Sequence, residues 1–249
     1  MKNKLKVLVS EINEFLNADK SLIIFILLLL FNFVYIFLVY RSDLSGNIIP
    51  YVDTLYYVFT DSFYLLVLLF NIFISIYITF DYFDKNLFVI SRCENRKGYF
   101  NKLTKKMLIN VTIVFLVNLL LALIIANLKW DGSFGISQYC DYNINNLQYF
   151  IFYIIRMYII VLLLAYLSAC IVKLLSFEIS LFINVLILFI QFLPNNFELP
   201  ILYTSYLGRY VFNSFCIEFM YSIVFIFIFA ISLYVLRSIT LKFIKCAGK

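Results

Sequence analysis

Residues 102–128 read KLTKKMLINVTIVFLVNLLLALIIANL, three lysines with a 22-residue stretch after them that carries no charged side chain. The hydrocarbon core of a bilayer is about 30 Å thick, so a spanning helix needs about 20 consecutive apolar residues. The stretch from Met107 to Leu128 meets that length. It predicts a helix that crosses a membrane and has its lysine-rich start at one surface.

Five further apolar stretches follow the same pattern: Ser21–Tyr40, Leu55–Phe80, Tyr149–Ile171, Phe177–Leu193 and Phe215–Leu236. Hydrophobic residues make up 64% of the chain and charged residues 14%, a balance that soluble domains do not carry. We therefore predict an all-α integral membrane protein, with six transmembrane helices in residues 21–249. The first span is predicted to remain uncleaved, because it is longer than a signal-peptide core and ends without small residues.

Lysine and arginine are concentrated in alternate segments between these spans, and such a bias sets orientation because cytoplasmic loops are basic. Sixteen of the 20 basic residues lie in the N-terminal segment, the second-to-third loop, the fourth-to-fifth turn and the tail: Lys2, Lys4, Lys6, Lys20, Lys85, Arg92, Arg96, Lys97, Lys102, Lys105, Lys106, Lys173, Arg237, Lys242, Lys245 and Lys249. We predict that both termini are cytoplasmic. The net charge of +6 then reflects contact with anionic membrane lipid, and not with nucleic acid.

The chain has no histidine, and its five cysteines show no CxxC spacing. Without histidine, the chain has neither the HExxH zinc-binding motif nor a Ser/His or Cys/His catalytic pair. The sequence also contains no glycine-rich phosphate-binding loop. We predict no catalytic residue, no metal site and no cofactor bound by this chain. Cys140 and Cys216 both fall on the predicted outer side, where they could pair.

Two segments outside the spans have helical periodicity. In residues 1–20, apolar side chains form one stripe and lysines occupy much of the rest, which predicts an amphipathic helix at the membrane interface. Whether it also contacts a cytoplasmic partner is left open. Residues 194–214 are too apolar for a free loop and are interrupted by Pro200 and Gly208, which predicts a re-entrant segment on the outer side.

The longest cytoplasmic loop, residues 81–106, combines charges with aromatic residues. Arginine and aromatic residues are enriched in protein interfaces. We therefore predict that Arg92–Leu103 forms a short coupling helix that docks a partner, with a solvated basic loop as the alternative. The candidate docking residues are Arg92, Glu94, Arg96, Tyr99 and Phe100.

Asp61, Arg156 and Glu218 are ionisable residues within the second, fourth and sixth predicted spans. These spans run in the same direction, and each charge lies near the outer end, so the three share a similar depth. A charge at the centre of a spanning helix costs about 2.5–3.5 kcal/mol. Pairing of Arg156 with Asp61 or Glu218 would offset much of this cost. We predict an intramembrane ion pair; a gate or substrate contact and a proton relay are the alternatives.

The layout resembles the permease subunit of ATP-binding-cassette exporters of the type-2 permease family, also called type V exporters. An amphipathic helix precedes six spans, and residues 88–99, FVISRCENRKGY, are similar to the family's coupling segment. The resemblance implies a separate ATPase subunit that binds ATP and magnesium, a second permease subunit in a homo- or heterodimer, and a bacterial plasma membrane. It also implies a transport path at the dimer interface, where Asn184 and Gln191 of the fifth span are candidate lining residues.

As a six-span chain with no large outer domain, it resembles the small bacterial permeases that export amphipathic or antimicrobial peptides, which makes peptide export or self-immunity the expected function. The 29 Phe and 20 Tyr residues would suit an apolar cavity, but AT-rich coding explains the same count. Lipid, glycan or drug export stays open, as do an ion-coupled carrier and a non-transporting scaffold or sensor. All prolines and glycines lie outside the spans, which disfavours the carrier because carriers commonly use broken helices.

Overall fold

The computed structural model describes residues 26, 27, 30, 31, 33, 34, 51, 55, 71–77, 79, 80, 96–130, 145–189 and 214–243. Its four main helices are α1 (Arg96–Trp130), α2 (Asn146–Leu174), α3 (Phe177–Phe189) and α4 (Phe215–Phe243). Residues 71–77, 79 and 80 are also helical. No strand occurs in these ranges, so the described part of the chain is all-helical, as the sequence predicts.

Three helices among the described residues are long and apolar enough to cross a membrane: Lys97–Leu128, Leu147–Leu174 and Phe215–Phe243. At 1.5 Å per residue, the 29 residues of α2 extend about 44 Å, more than the hydrocarbon thickness of about 30 Å. The three helices coincide with the third, fourth and sixth predicted spans. The protein is therefore a membrane-embedded helical protein.

The other predicted spans are described only in part. Helix α3 begins at Phe177, the predicted start of the fifth span, and its 13 residues extend about 20 Å. The first span is described at residues 26, 27, 30, 31, 33 and 34 and the second at residues 55, 71–77, 79 and 80, all of which are helical. The predicted amphipathic helix at residues 1–20 lies outside the described residues, and so does the predicted re-entrant segment at 194–214 apart from Ser214.

Helix α1 differs from the sequence prediction at its start. It runs unbroken for 35 residues from Arg96, so residues 96–103 of the predicted coupling helix are continuous with the third span. The physical reason is local composition: residues 99–106 contain no proline or glycine, and Gly98 lies in the first turn of α1, not in its interior. Between Lys106 and Met107 the side chains change from polar to apolar, but the backbone stays helical.

Polar side chains fix the starts of the three following helices. Asn145 Oδ1 accepts a hydrogen bond from Leu147 N at 2.9 Å at the start of α2. Ser176 Oγ accepts from Ile179 N at 3.3 Å in front of α3, and Ser214 Oγ accepts from Ile217 N at 3.4 Å in front of α4. Each bond satisfies one of the backbone donors that a helix start leaves without an intrahelical partner.

Helix α2 lies at the centre of the described bundle, because it packs against α1, α3 and α4. Its buried positions include Ala165 and Ala169, small residues that let helices approach closely in a membrane. One line of buried side chains on α1 has members three or four residues apart: Phe100, Leu103, Met107, Val111, Val114, Asn118, Ala122 and Ile125. Helix α4 is mostly exposed and apolar, as contact with hydrocarbon requires.

The two ends of the bundle differ in charge. At one end α1 begins and α2 and α4 end; we call it the basic end, because its described cations are Lys97, Lys102, Lys105, Lys106, Lys173, Arg237 and Lys242. Lys173 Nζ lies 3.4 Å from Tyr99 Oη and 4.7 Å from the ring centroid of Phe80. These contacts join α1, the 71–80 segment and the end of α2.

Candidate functional site

A buried ion pair joins α2 to α4 near the end of the bundle opposite the basic end. Arg156 Nη1 donates to Glu218 Oε1, and the two residues are 2% and 0% exposed. The protein therefore shields both charges from lipid and water, and the two charges face each other. Such pairing is what makes an ionised side chain tolerable at membrane depth.

Tyr149 is the third member of this site. Its hydroxyl lies 3.0 Å from Glu218 Oε1 and 3.1 Å from Oε2, so the single O–H donates to the carboxylate in a shared manner. Tyr149, Tyr153 and Arg156 are spaced i, i+4 and i+7, which places them on one face of α2. We call Tyr149, Arg156 and Glu218 the charge clamp.

Aromatic rings cover the charge clamp. The ring centroids of Phe152 and Phe215 are 5.2 Å apart, and Phe219 lies 5.8 Å from Phe152 and 6.0 Å from Phe215. Arg156 Cζ lies 5.2 Å from the ring centroids of both Phe152 and Tyr153, within cation–π range. The rings exclude lipid and water from the ion pair and also attract the guanidinium.

The position of Glu218 follows from the local sequence of α4. Ser214 caps the helix, and Glu218 lies within its first turn, where the positive end of the helix dipole favours a carboxylate. Ser222 Oγ donates to the backbone oxygen of Glu218 at 2.8 Å. The start of α4 therefore places the Glu218 carboxylate next to α2.

The charge clamp can hold α2 and α4 together. In a buried pair, loss of one partner leaves an uncompensated charge, which is strongly unfavourable. Asp61, the third charge predicted for this region, lies outside the described residues, so its pairing stays a prediction.

The predicted docking residues are described only in part. Arg92 and Glu94 lie outside the described residues, and Arg96 is the first residue of α1, with its side chain not described. Tyr99 is 7% exposed and Phe100 is fully buried, with its ring 6.1 Å from that of Tyr166. These two rings face the bundle and fix the start of α1; their part in docking a partner stays a prediction.

The side chains of the two residues predicted to line the transport path are not described. Asn184 lies on α3, with its side chain not described, and Gln191 lies outside the described residues. In the part of the chain described here, no group of three or more His, Cys, Asp and Glu residues could hold a metal. Cys216 is a free, exposed thiol, and its proposed partner Cys140 lies outside the described ranges.

Sequence reasoning missed the buried, uncharged polar residues of the 71–80 segment and α1. Asn110 Nδ2 donates to Thr79 Oγ1 at 2.9 Å, and Thr79 Oγ1 donates to the backbone oxygen of Ser75 at 2.8 Å. We call the set the polar seam; its members are almost fully buried, and they are Asn71, Ser75, Thr79, Asn110 and Asn118. The four-residue spacing of the first three was the available signal.

Comparison with protein-family models, with curated proteins and with solved structures finds no match for this chain. Its fold and its site nevertheless define a class. It is a membrane-embedded helical protein with a covered, interhelical ion pair near one end and a cluster of cations at the other.

Proposed function

We propose that this chain is the transmembrane permease subunit of an ATP-driven exporter in a bacterial plasma membrane. The basic end and both termini face the cytoplasm. A separate ATPase subunit binds ATP and magnesium, a second permease subunit completes the transport path, and this chain has no enzymatic activity of its own. The substrate class is amphipathic peptides, exported or expelled in self-protection.

The continuity of α1 supports this proposal most directly. The predicted docking residues Arg92 and Glu94 immediately precede a 35-residue helix that enters the membrane without a break. A displacement of the docking segment by an ATPase would therefore move α1 along its length. At its start α1 is held by the burial of Phe100 and by the contact of Tyr99 with Lys173, which passes the same displacement to α2.

The charge clamp adds a second argument. An ion-coupled carrier would need a membrane carboxylate that exchanges its cation during transport. Both oxygens of Glu218 already have protein partners, Arg156 and Tyr149, under an aromatic cover. This arrangement indicates that the Glu218 carboxylate holds α4 to α2. The energy for transport would then come from a source outside the described bundle, such as an ATPase.

The test starts with the full-length chain, tagged and extracted from its native membrane in a mild detergent. We expect an ATPase with the ATP-binding-cassette signature to co-purify in a fixed ratio. The reconstituted complex should then move amphipathic peptide only with ATP. Glu94→Ala should lower peptide-stimulated ATP hydrolysis about tenfold or more, whereas Glu178→Ala, which removes an exposed acid at the same basic end, should leave it unchanged.

Each rival function predicts a different result. Transport without an ATPase, driven by an ion gradient, would identify a carrier. Absence of both an ATPase partner and peptide flux would identify a scaffold or sensor. If Glu94→Ala and Glu178→Ala change ATP hydrolysis equally, the docking assignment is wrong. The co-purification result alone then decides whether the chain belongs to an exporter.

A further inference from the structure

A groove opens between α2 and α4 near the basic end, with Leu108 of α1 at its side. Its volume is about 350 Å³, within the range of small-molecule sites, and it is open to the surroundings. Its described walls are almost entirely apolar. From α2 they are Ile159, Leu162, Leu163 and Tyr166, and from α4 they are Ala230, Leu233, Tyr234 and Arg237.

The walls form two straight stripes. On each helix the four residues follow the i, i+3, i+4, i+7 spacing of one helix face, so each stripe is about 10 Å long. Both helices run towards the basic end, and the groove between them therefore follows the membrane normal. A slender apolar chain fits this shape better than a compact polar ligand does.

Arg237 places a cation at the basic end of the groove. Its Nη2 donates to Asn101 Oδ1 at 2.7 Å, and a neutral amide does not compensate a positive charge. Asn101, Lys105 and Leu108 share one face of α1 by their i, i+4, i+7 spacing, and Lys105 is exposed. Lys105 therefore adds a second positive charge on the face of α1 that borders the groove. The described lining includes no acidic side chain.

These two cations lie at the level where the helices leave the apolar layer. The uncharged stretch of α1 begins at Met107, two residues after Lys105, and the uncharged stretch of α4 ends at Leu236, one residue before Arg237. Lipid phosphates occupy this level in a bilayer. The groove runs from here towards the hydrocarbon.

We propose that this groove binds an anionic phospholipid. One acyl chain lies between the α2 and α4 stripes, and the phosphate contacts Arg237 and Lys105. Basic sites between transmembrane helices are suited to anionic headgroups, because each nearby cation attracts them. A soluble anion would leave the apolar walls unused. A second copy of this chain, docked symmetrically on the same face, would bring two more cations against the first two.

The experiment uses the purified full-length chain in an uncharged maltoside detergent. Dioleoyl phosphatidylglycerol or dioleoyl phosphatidylcholine is added stepwise, and the apparent affinity is taken from the rise in thermal unfolding temperature. We expect phosphatidylglycerol to stabilise the protein and phosphatidylcholine to do so much less. Arg237→Gln should weaken the apparent affinity for phosphatidylglycerol about fivefold, and Arg237→Lys should largely preserve it.

Two further variants separate the groove from general charge effects. Ala230→Phe places a ring in the groove from an exposed position and should abolish the lipid effect while the lipid-free unfolding temperature stays near that of the parent. Lys242→Gln removes the same charge from the opposite face of α4, about 140° around the helix, and should not change the affinity. Equal stabilisation by the two lipids would overturn the proposal. So would an unchanged affinity in Ala230→Phe, or equal losses in Lys242→Gln and Arg237→Gln.

Discussion

The charge clamp and the polar seam are both buried polar contacts between helices, but only the first contains charges. In the clamp, a guanidinium and a carboxylate face each other between α2 and α4 beneath aromatic rings. In the seam, amide and hydroxyl groups join α1 to the 71–80 segment. A charge without its partner is far costlier at membrane depth than an amide without its partner. The clamp should therefore decide whether α4 stays in place, and the seam should only adjust the packing of α1.

The largest expected effect is that of Arg156→Ala. It leaves the Glu218 carboxylate buried with only Tyr149 as a described donor, and breaking one side of a buried pair destabilises by about 3–5 kcal/mol. We expect a large fall in the thermal unfolding temperature of the detergent-solubilised protein. A fall no larger than that caused by an exposed substitution outside the groove, such as Phe227→Ala, would mean that the clamp does not hold α4.

A double substitution sharpens this prediction. Arg156→Met together with Glu218→Leu removes both charges and keeps apolar volume, so most of the lost stability should return. If the double variant is stable and still supports transport, the clamp acts only as a structural lock. If it is stable but inactive, the charges have a role in the transport cycle as a gate or a substrate contact.

Tyr149→Phe should have the next largest effect. It keeps the ring that packs near Phe215 and removes the hydroxyl that donates to Glu218. A hydrogen bond to a charged group contributes about 1.5–3 kcal/mol, so the unfolding temperature should fall by less than in Arg156→Ala. The matched control is Tyr234→Phe, which removes a hydroxyl from a residue that is 70% exposed. Equal small shifts in the two variants would show that Tyr149 adds only packing.

The positions of the long helices could be predicted from the sequence, since length and absence of charge decide what crosses a bilayer. Helix α4 begins at Phe215, where the apolar run begins. The start of α1 could not be predicted in the same way, because lysine and leucine are good helix formers on either side of the apolar boundary, and the helix continues past the apolar layer to Arg96.

The depth of the intramembrane charges could be predicted more easily than which charges pair. Sequence position places Asp61, Arg156 and Glu218 at a similar height, but the rotation of each helix decides which of them meet. That rotation depends on packing, here of α2 against α1 and α4. The polar seam was missed for the same reason: Ser75 and Thr79 are unremarkable in an apolar run until Asn110 is placed opposite them.

The smallest expected effect is that of the polar seam. Hydrogen bonds between helices in membranes contribute about 0.6 kcal/mol on average and about 1.7 kcal/mol at most, because the separated helices also find partners. Asn110→Leu and Thr79→Val should each lower the unfolding temperature slightly. In a double-mutant cycle the two changes should couple by no more than this amount, because Asn110 Nδ2 donates directly to Thr79 Oγ1. A coupling as large as that between Arg156 and Glu218 would break the comparison, since neutral amides would then hold α1 as firmly as charges hold α4.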